Sequence, residues 1–319
     1  MIEVKHLTKK YGDLVAVDDL SLTIEPGRIY GLLGPNGAGK STTMNIITGY
    51  LGATAGTVEV GGFDIRKKPE AAKRCIGYLP ETPPLYTDMK VAEYLDFVAA
   101  LKGVGKRGLM DHVDEVMDRT RVFDVRDRLI RNLSKGYRQR VGLAQAIIGY
   151  PEFLIFDEPT IGLDPAQIIE VRELIRALGG EHTVILSSHI LPEIRETCDY
   201  IFILAGGRLA ASDTTENLIR GAGGGRQEMR LVVRGDGQDA ADALSRVREV
   251  DATSIGRRPG DGAGTCLLTF RAKETGDARE AILAKLVRKK IGVLEFGGTG
   301  KSLEDIFIEL VSQEGGGAS

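Results

Sequence analysis

Apolar and polar positions alternate along residues 2–7 and 20–24, the period-two pattern of half-buried antiparallel strands, and Glu25-Pro26-Gly27 supplies a turn after the second. The pattern then changes. Residues 28–33 contain an Ile-Tyr-Gly-Leu-Leu run suited to a buried strand, residues 41–48 suit a helix, and a turn-rich hairpin is expected through residues 57–63. Short apolar runs at 76–79, 153–156 and 183–188 are those of strands buried on both faces, as in a parallel sheet. Between the first two of these, apolar residues recur at helical spacing over 91–101 and 109–117, with charges between them. A small helical subdomain, about residues 85–150, is therefore expected as an insertion in an α/β core. An amphipathic helix over 166–178 and a hairpin joining 201–204 to 208–210 around Gly206-Gly207 close the unit near residue 220.

The glycine-rich run that follows predicts a flexible linker at 221–226, and the composition after it is again mixed enough to fold. Strands are expected at 229–233, 252–255, 266–270 and 291–296, and helices at 240–250 and 278–287. That βαββαβ order is the ferredoxin-like arrangement, so residues 227–313 are expected to form a small α+β domain. Ser302-Leu303-Glu304-Asp305 resembles a capping box and predicts an apolar helix through Val311.

Length agrees with two domains, since 319 residues with 42% hydrophobic content can fill two cores. A net charge of -3 gives no broad electrostatic case for a nucleic-acid partner and leaves room only for a local basic patch. The three cysteines, Cys75, Cys198 and Cys266, lack metal-ligand spacing and suit a reducing cytosol. The N-terminal residues lack a signal-peptide core, and no apolar run approaches the ~20 residues that span a bilayer.

Candidate chemistry is concentrated where strands end. Gly34-Pro35-Asn36-Gly37-Ala38-Gly39-Lys40-Ser41 fits the P-loop spacing in the strand-loop-helix context that the motif requires. Glycines at 34, 37 and 39 let successive N–H groups turn toward one anion, and a triphosphate is the natural occupant. Lys40 can reach the β and γ phosphates, and the Ser41 hydroxyl can ligate Mg²⁺. Downstream, the 153–156 strand ends in Asp157-Glu158, placed to hold Mg²⁺ and to polarise an attacking water. Ser134 can cap a helix, a role that is structural in most proteins. His189 follows the 183–188 strand on the edge of the sheet where ligands bind, although a lone histidine is more often structural. Tyr11 suits an adenine-stacking plate and a plain surface tyrosine equally. Glu81, in the proline-rich 80–84 loop, is presented at a strand end.

Taken in order, Tyr11, the P-loop, Leu133-Ser134-Lys135-Gly136-Tyr137, residues 153–158, Gly162-Leu163-Asp164-Pro165 and His189 closely resemble the ATPase subunit of ABC transporters. The resemblance covers roughly residues 1–220, and its most specific part is the Ser-x-Gly signature just ahead of an Asp-Glu strand end. It implies that Tyr11 stacks on adenine and that Gly34, Pro35, Asn36, Gly37, Ala38, Gly39, Lys40, Ser41 and Thr42 hold the phosphates and Mg²⁺. It further implies that Asp157 positions Mg²⁺, Glu158 is the general base, His189 contacts the γ-phosphate and Asp164 crosses a dimer interface. Ser134 and Gly136 would face the nucleotide of a second copy, with two ATP molecules sandwiched by a homodimer that drives a separate membrane permease. Such a subunit lies in the cytoplasm, peripheral on the inner face of the cell membrane.

Two departures stand out. Lys135 and Tyr137 replace the usual Gly and Gln of the signature, and Glu81 stands where the family usually has a glutamine that senses Mg²⁺ and couples to the membrane subunit. Both resemble the ABC-2 branch, which includes exporters of drugs and polymers and gliding-motility systems and whose ATPases often carry a regulatory or dimerising tail. The competing expectation is a soluble ABC ATPase of translation or DNA maintenance, but neither a second ATPase unit nor a long coiled-coil insertion is present.

Overall fold

The computed structural model describes residues 1–105, 107–222, 228–235, 237–248, 250–259, 264–272, 278–298 and 307–308. The chain divides into two compact units, Met1–Thr215 and Glu216–Ile308. The division falls ahead of the expected boundary at residue 220. Helix α8 (Thr215–Ala222) also continues through Gly221 and Ala222, the first two residues expected in the linker. Glycine is tolerated there because a helix end is where its backbone freedom costs least. The rest of the expected linker lies outside the described residues, as does the expected capping box at 302–305.

In the first unit, β1 (Ile2–Tyr11) and β2 (Leu14–Ile24) form an antiparallel hairpin, and β4 (Ala55–Val60) and β5 (Phe63–Asp64) extend it in the order β2-β1-β4-β5. Both hairpin strands are longer than the alternation indicates. Register shifts after Val4 and Leu7, with His6 at φ 50°, interrupt the period so that its continuation to Tyr11 is hidden in the sequence.

The second sheet has the order β10-β9-β3-β8-β7-β6. Strands β3 (Ile29–Leu33), β6 (Ile76–Leu79), β7 (Phe153–Phe156), β8 (Thr183–Ser188) and β9 (Tyr200–Ala205) run parallel, and β10 (Arg208–Thr214) returns antiparallel at the edge. Every residue of β3, β7 and β8 is buried, as continuous apolar runs covered on both faces must be. One core cluster joins Val4 and Leu20 of the first sheet to Leu32, Ile155 and Ile185 of the second through Met44 and Ile47 of α1 (Lys40–Ile47). Full burial of Phe153 or Phe156 contributes about 1.5–3 kcal/mol each.

Between β6 and β7 lie α3 (Val91–Leu101), α4 (Leu109–Arg119), two short 3-10 turns and α5 (Lys135–Ile147), following α2 (Pro69–Arg74) earlier in the chain. Helix α5 approaches β6 so closely that a Cβ on Gly77 would collide with the Ala146 carbonyl. Helices α6 (Pro165–Gly179) and α7 (Leu191–Thr197) complete the layer by packing near β8 and β3.

In the second unit, β11 (Glu228–Arg234), β12 (Val250–Pro259), β13 (Thr265–Ala272) and β14 (Val293–Gly298) form an all-antiparallel sheet of order β12-β13-β11-β14. With α9 (Gln238–Leu244) and α10 (Ala278–Arg288), this is the ferredoxin-like topology. Helix α9 is shorter than expected and β12 longer: the helix stops at Leu244, and Val250 already pairs with Ala272. Alternation places Leu231, Val233, Leu268 and Phe270 in a core of their own with Ile282 and Leu286.

Candidate active site

Register brings the chemistry together. Leu33 pairs with Ser188, Leu186 with Phe156, and Phe156 with Leu79, so the P-loop, His189, Asp157-Glu158 and Glu81 all leave the sheet at one edge. Strand β8 lies between the P-loop strand and the acid-bearing strand. Ligand sites in open parallel sheets form beyond such carboxyl ends, where strand order reverses.

The P-loop is built for close approach. Ala38 N–H donates to the Pro35 carbonyl (3.1 Å), Gly37 and Gly39 take φ of 83° and 96°, and α1 starts directly at Lys40. A Cβ on Gly34 would stand 2.6 Å from the Leu204 carbonyl oxygen, and one on Gly39 2.6 Å from that of Ala16. Only glycine fits either place. The Lys40 ammonium is 6% exposed, donates to the Gly34 (2.8 Å) and Pro35 (3.3 Å) carbonyls and lies 3.5 Å from Glu158 Oε1. Those oxygens satisfy a charge that would otherwise be costly to bury, and they are partners that phosphate oxygens can replace.

Ser41 Oγ donates to Asp157 Oδ1 (3.1 Å), and Ser187 Oγ donates to the same oxygen (2.6 Å). Ser187 Oγ in turn accepts the Glu158 N–H (2.9 Å), fixing the backbone of a residue held at φ 48°. Positive φ in a residue other than glycine persists only where its surroundings enforce it, commonly at functional positions. Glu158 is 7% exposed, and its Oε2 faces His189 Nδ1 at 3.0 Å. The carboxylate thus sits between a cation and an imidazole at the mouth of the P-loop. A hydroxyl and a carboxylate 3.1 Å apart form an all-oxygen donor pair of the kind that holds Mg²⁺ together with phosphate oxygens.

Two networks here were not legible as site features. Ser187 is one; the other is Glu193, buried on α7, whose Oε2 accepts from Thr160 Oγ1 (2.7 Å) and Ser188 Oγ (3.0 Å). Ser188 Oγ also accepts the Ile190 N–H (3.0 Å), so the turn carrying His189 is tied down on both sides. The available signal was the Ser187-Ser188 pair itself, two hydroxyls closing a strand whose other residues are mostly apolar.

Glu81 is exposed and lines a cavity of about 660 Å³ together with Ser41, Asn45, Tyr78, Gln145 and Asp157. Tyr78 donates to Asn45 Oδ1 (2.9 Å). Burial and the Asp157 charge push its phenol well above the usual range, so it remains a neutral donor. Tyr11 ends β1 with its ring 48% exposed and the Lys9 ammonium 5.0 Å from its centroid. The adjoining strand brings Ala16 against Gly39, which carries this hairpin to the P-loop.

Ser134, Gly136 and Asp164 form a second group, joined by no hydrogen bond or ion pair to the first among the described residues. Ser134 Oγ accepts the Tyr137 N–H (3.3 Å) and Asp164 Oδ1 the Gln167 N–H (2.9 Å), so each caps its helix. A Cβ on Gly136 would stand 2.7 Å from Gln167 Cδ, which locks the start of α5 against the start of α6. Tyr137 turns away from that junction: its hydroxyl donates to Asp124 Oδ2 (2.7 Å) and Arg140 stacks over its ring at 5.4 Å.

The family profile described as ABC transporter matches residues 17–161, which span the P-loop, the signature turn and Asp157-Glu158. The bacitracin transport ATP-binding protein BcrA of Bacillus licheniformis is 39% identical over 66% of this chain and 68% of its own. The daunorubicin/doxorubicin resistance ATP-binding protein DrrA of Streptomyces peucetius is 32% identical over 97% of this chain and 92% of its own. The chain belongs to the ATP-binding subunits of ABC transporters. A solved structure of an ATP binding subunit of an ABC transporter superposes with a TM-score of 0.64, at 30% identity over 70% of this chain and 94% of that one. As a family member the chain binds ATP and hydrolyses it as a transporter subunit. The match to DrrA covers nearly the whole chain, so the sequence of the second unit is aligned with this relative as well. Among the described residues no helix is long and apolar enough to cross a membrane.

Proposed function

We propose that this ABC ATPase powers an ABC-2-type exporter, with two copies closing around two ATP molecules and a separate membrane subunit carrying the cargo. The carrying observation is the Ser41–Asp157–Ser187 chain beside the Glu158–His189 pair, at the mouth of a glycine cradle. Residues 34–42 hold the phosphates, and Lys40 exchanges its loop carbonyls for the β and γ oxygens. Ser41 and Asp157 hold Mg²⁺, with Glu81 facing the same cavity. The ion supplies charge neutralisation across the phosphates.

Glu158 accepts the proton of the attacking water, its carboxylate freed from Lys40 once phosphate takes the ammonium. His189 orients Glu158 and donates toward the γ-phosphate. Tyr11 stacks on adenine. Ser134 and Gly136 serve the partner's nucleotide, and Asp164 lies at the interface between copies. The relatives named for bacitracin transport and daunorubicin/doxorubicin resistance support a drug as the exported class. On this reading the subunit works on the inner face of the cell membrane, and the ferredoxin-like unit regulates or reinforces pairing of the copies.

The test is Glu158→Gln. The amide keeps the shape of the side chain but cannot accept the proton, so nucleotide binding should survive while turnover falls by orders of magnitude. Light scattering should then find a dimer with Mg-ATP and a monomer with Mg-ADP. Wild-type turnover by this variant would remove Glu158 as the base. A monomer in ATP, both alone and with the co-expressed membrane subunit, would end the two-copy reading.

A further inference from the structure

The signature turn carries a charge that the two-copy reading leaves unused. Lys135 is the first residue of α5, between the Ser134 cap and Gly136. Its side chain lies across the turn that joins Glu158 to α6, and a Cβ on Gly162 would collide with the Lys135 ammonium. Gly162, at φ 67°, leaves the space that the ammonium occupies. The neighbouring acids are engaged elsewhere: Asp164 Oδ1 accepts the Gln167 N–H, Asp124 accepts from Tyr137, and Glu170 pairs with Arg140. Among the described residues Lys135 makes no ion pair, and its side chain is exposed. The first N–H groups of α5 lack partners within the helix and carry the positive end of its dipole. An unneutralised ammonium and a helix N-terminus therefore meet at one junction, braced by Gly136 packing on Gln167.

We infer that Lys135 reads the γ-phosphate of the partner copy's nucleotide, adding a mobile cation to the contacts of Ser134 and Gly136 and making closure selective for triphosphate over diphosphate. The inference rests on the two-copy reading. While the junction is empty the ammonium rests on Gly162. When a γ-phosphate docks, the nearest unpaired cation is one residue from both contact residues, and its flexible stem lets it swing to the anion. A diphosphate presents no γ oxygens there, so the ammonium stays on Gly162.

The test places Lys135→Met in the Glu158→Gln background, because methionine preserves an unbranched apolar stem against Gly162 and removes only the charge. One charge-assisted hydrogen bond at an exposed site accounts for about tenfold in affinity. Two equivalent sites close together, so the Mg-ATP dimer should dissociate about a hundredfold more readily. Lys135→Arg should restore dimerisation. Raising the salt should weaken the parent's dimer more steeply than that of Lys135→Met, which lacks the screened charge. Fluorescence titration of monomer with Mg-ATP should give parental affinity in both variants, since Lys40 and its loop are untouched. A Lys135→Met dimer as tight as the parent's, with the same salt slope, would overturn the inference while leaving the two-copy reading intact. If the Glu158→Gln parent itself never dimerises, with or without the membrane subunit, both fall together.

Discussion

At the scale of single residues, the site depends on side chains whose partners are far off in sequence. Ser187 is the clearest: one hydroxyl donates to Asp157 and accepts from the backbone of Glu158. Ser187→Ala should lower turnover roughly 10–100-fold, the usual cost of removing an orienting group behind a ligand or base. ATP affinity, which the proposed function assigns to the loop and Lys40, should change little, so steady-state hydrolysis and nucleotide titration would separate the two effects. Equal losses in both would mean that Ser187 supports the loop itself. The residues proposed to bear the reaction, Lys40, Asp157 and Glu158, were legible because motif spacing and strand ends mark them. Ser187 and Glu193 were not, since a hydroxyl at a strand end and an acid on a helix carry no signature until their partners are known.

Among the elements, the helical layer is held by a junction where α4 meets the end of α5. His112 Nε2 accepts the Gly149 N–H (3.0 Å), and its ring meets Tyr150 edge-on at 4.6 Å. Burial lowers the His112 pKa from the ordinary 6.5; the Glu115 charge opposes that shift and the Lys102 charge adds to it. The neutral ring is the form that can accept this hydrogen bond. Because the folded pKa lies below the unfolded one, the unfolded chain binds the extra proton in that window. The stability from this junction is therefore complete above pH 6.5 and is lost as pH falls through the lower folded value. His112→Gln, which keeps an acceptor but does not titrate, should flatten the fall in melting temperature below pH 6.5 relative to the parent. Identical pH profiles for the two would show that other groups control the acid limb. Helices α3, α4 and α6 were predictable from their periodicity, whereas the short α2 and α7 were not expected, and β1 and β2 were longer than predicted because bulges at His6 and Asp19, both at φ 50°, break the alternation.

At the scale of the whole molecule, the two cores share no residue: one is built on Ile2, Met44 and Phe153, the other on Leu231, Leu268 and Phe270. A chain ended at Gly223 should therefore melt cooperatively and still bind ATP, since it keeps the entire first core. Loss of the cooperative transition in calorimetry would show that the second unit completes the first. The βαββαβ order and the strand-loop-helix of the P-loop were set by local sequence, because alternation, helical periodicity and glycine placement act over a few residues. The motif order also identified the family before any strand was paired. Tertiary structure decided what no local pattern encodes: the register that aligns Leu33, Ser188 and Phe156 and so gathers three strand ends into one site. It also decided that Lys135 rests on Gly162, because α5 and α6 pack start against start, and that Tyr137 reaches Asp124 on the 3-10 turn ahead of α5.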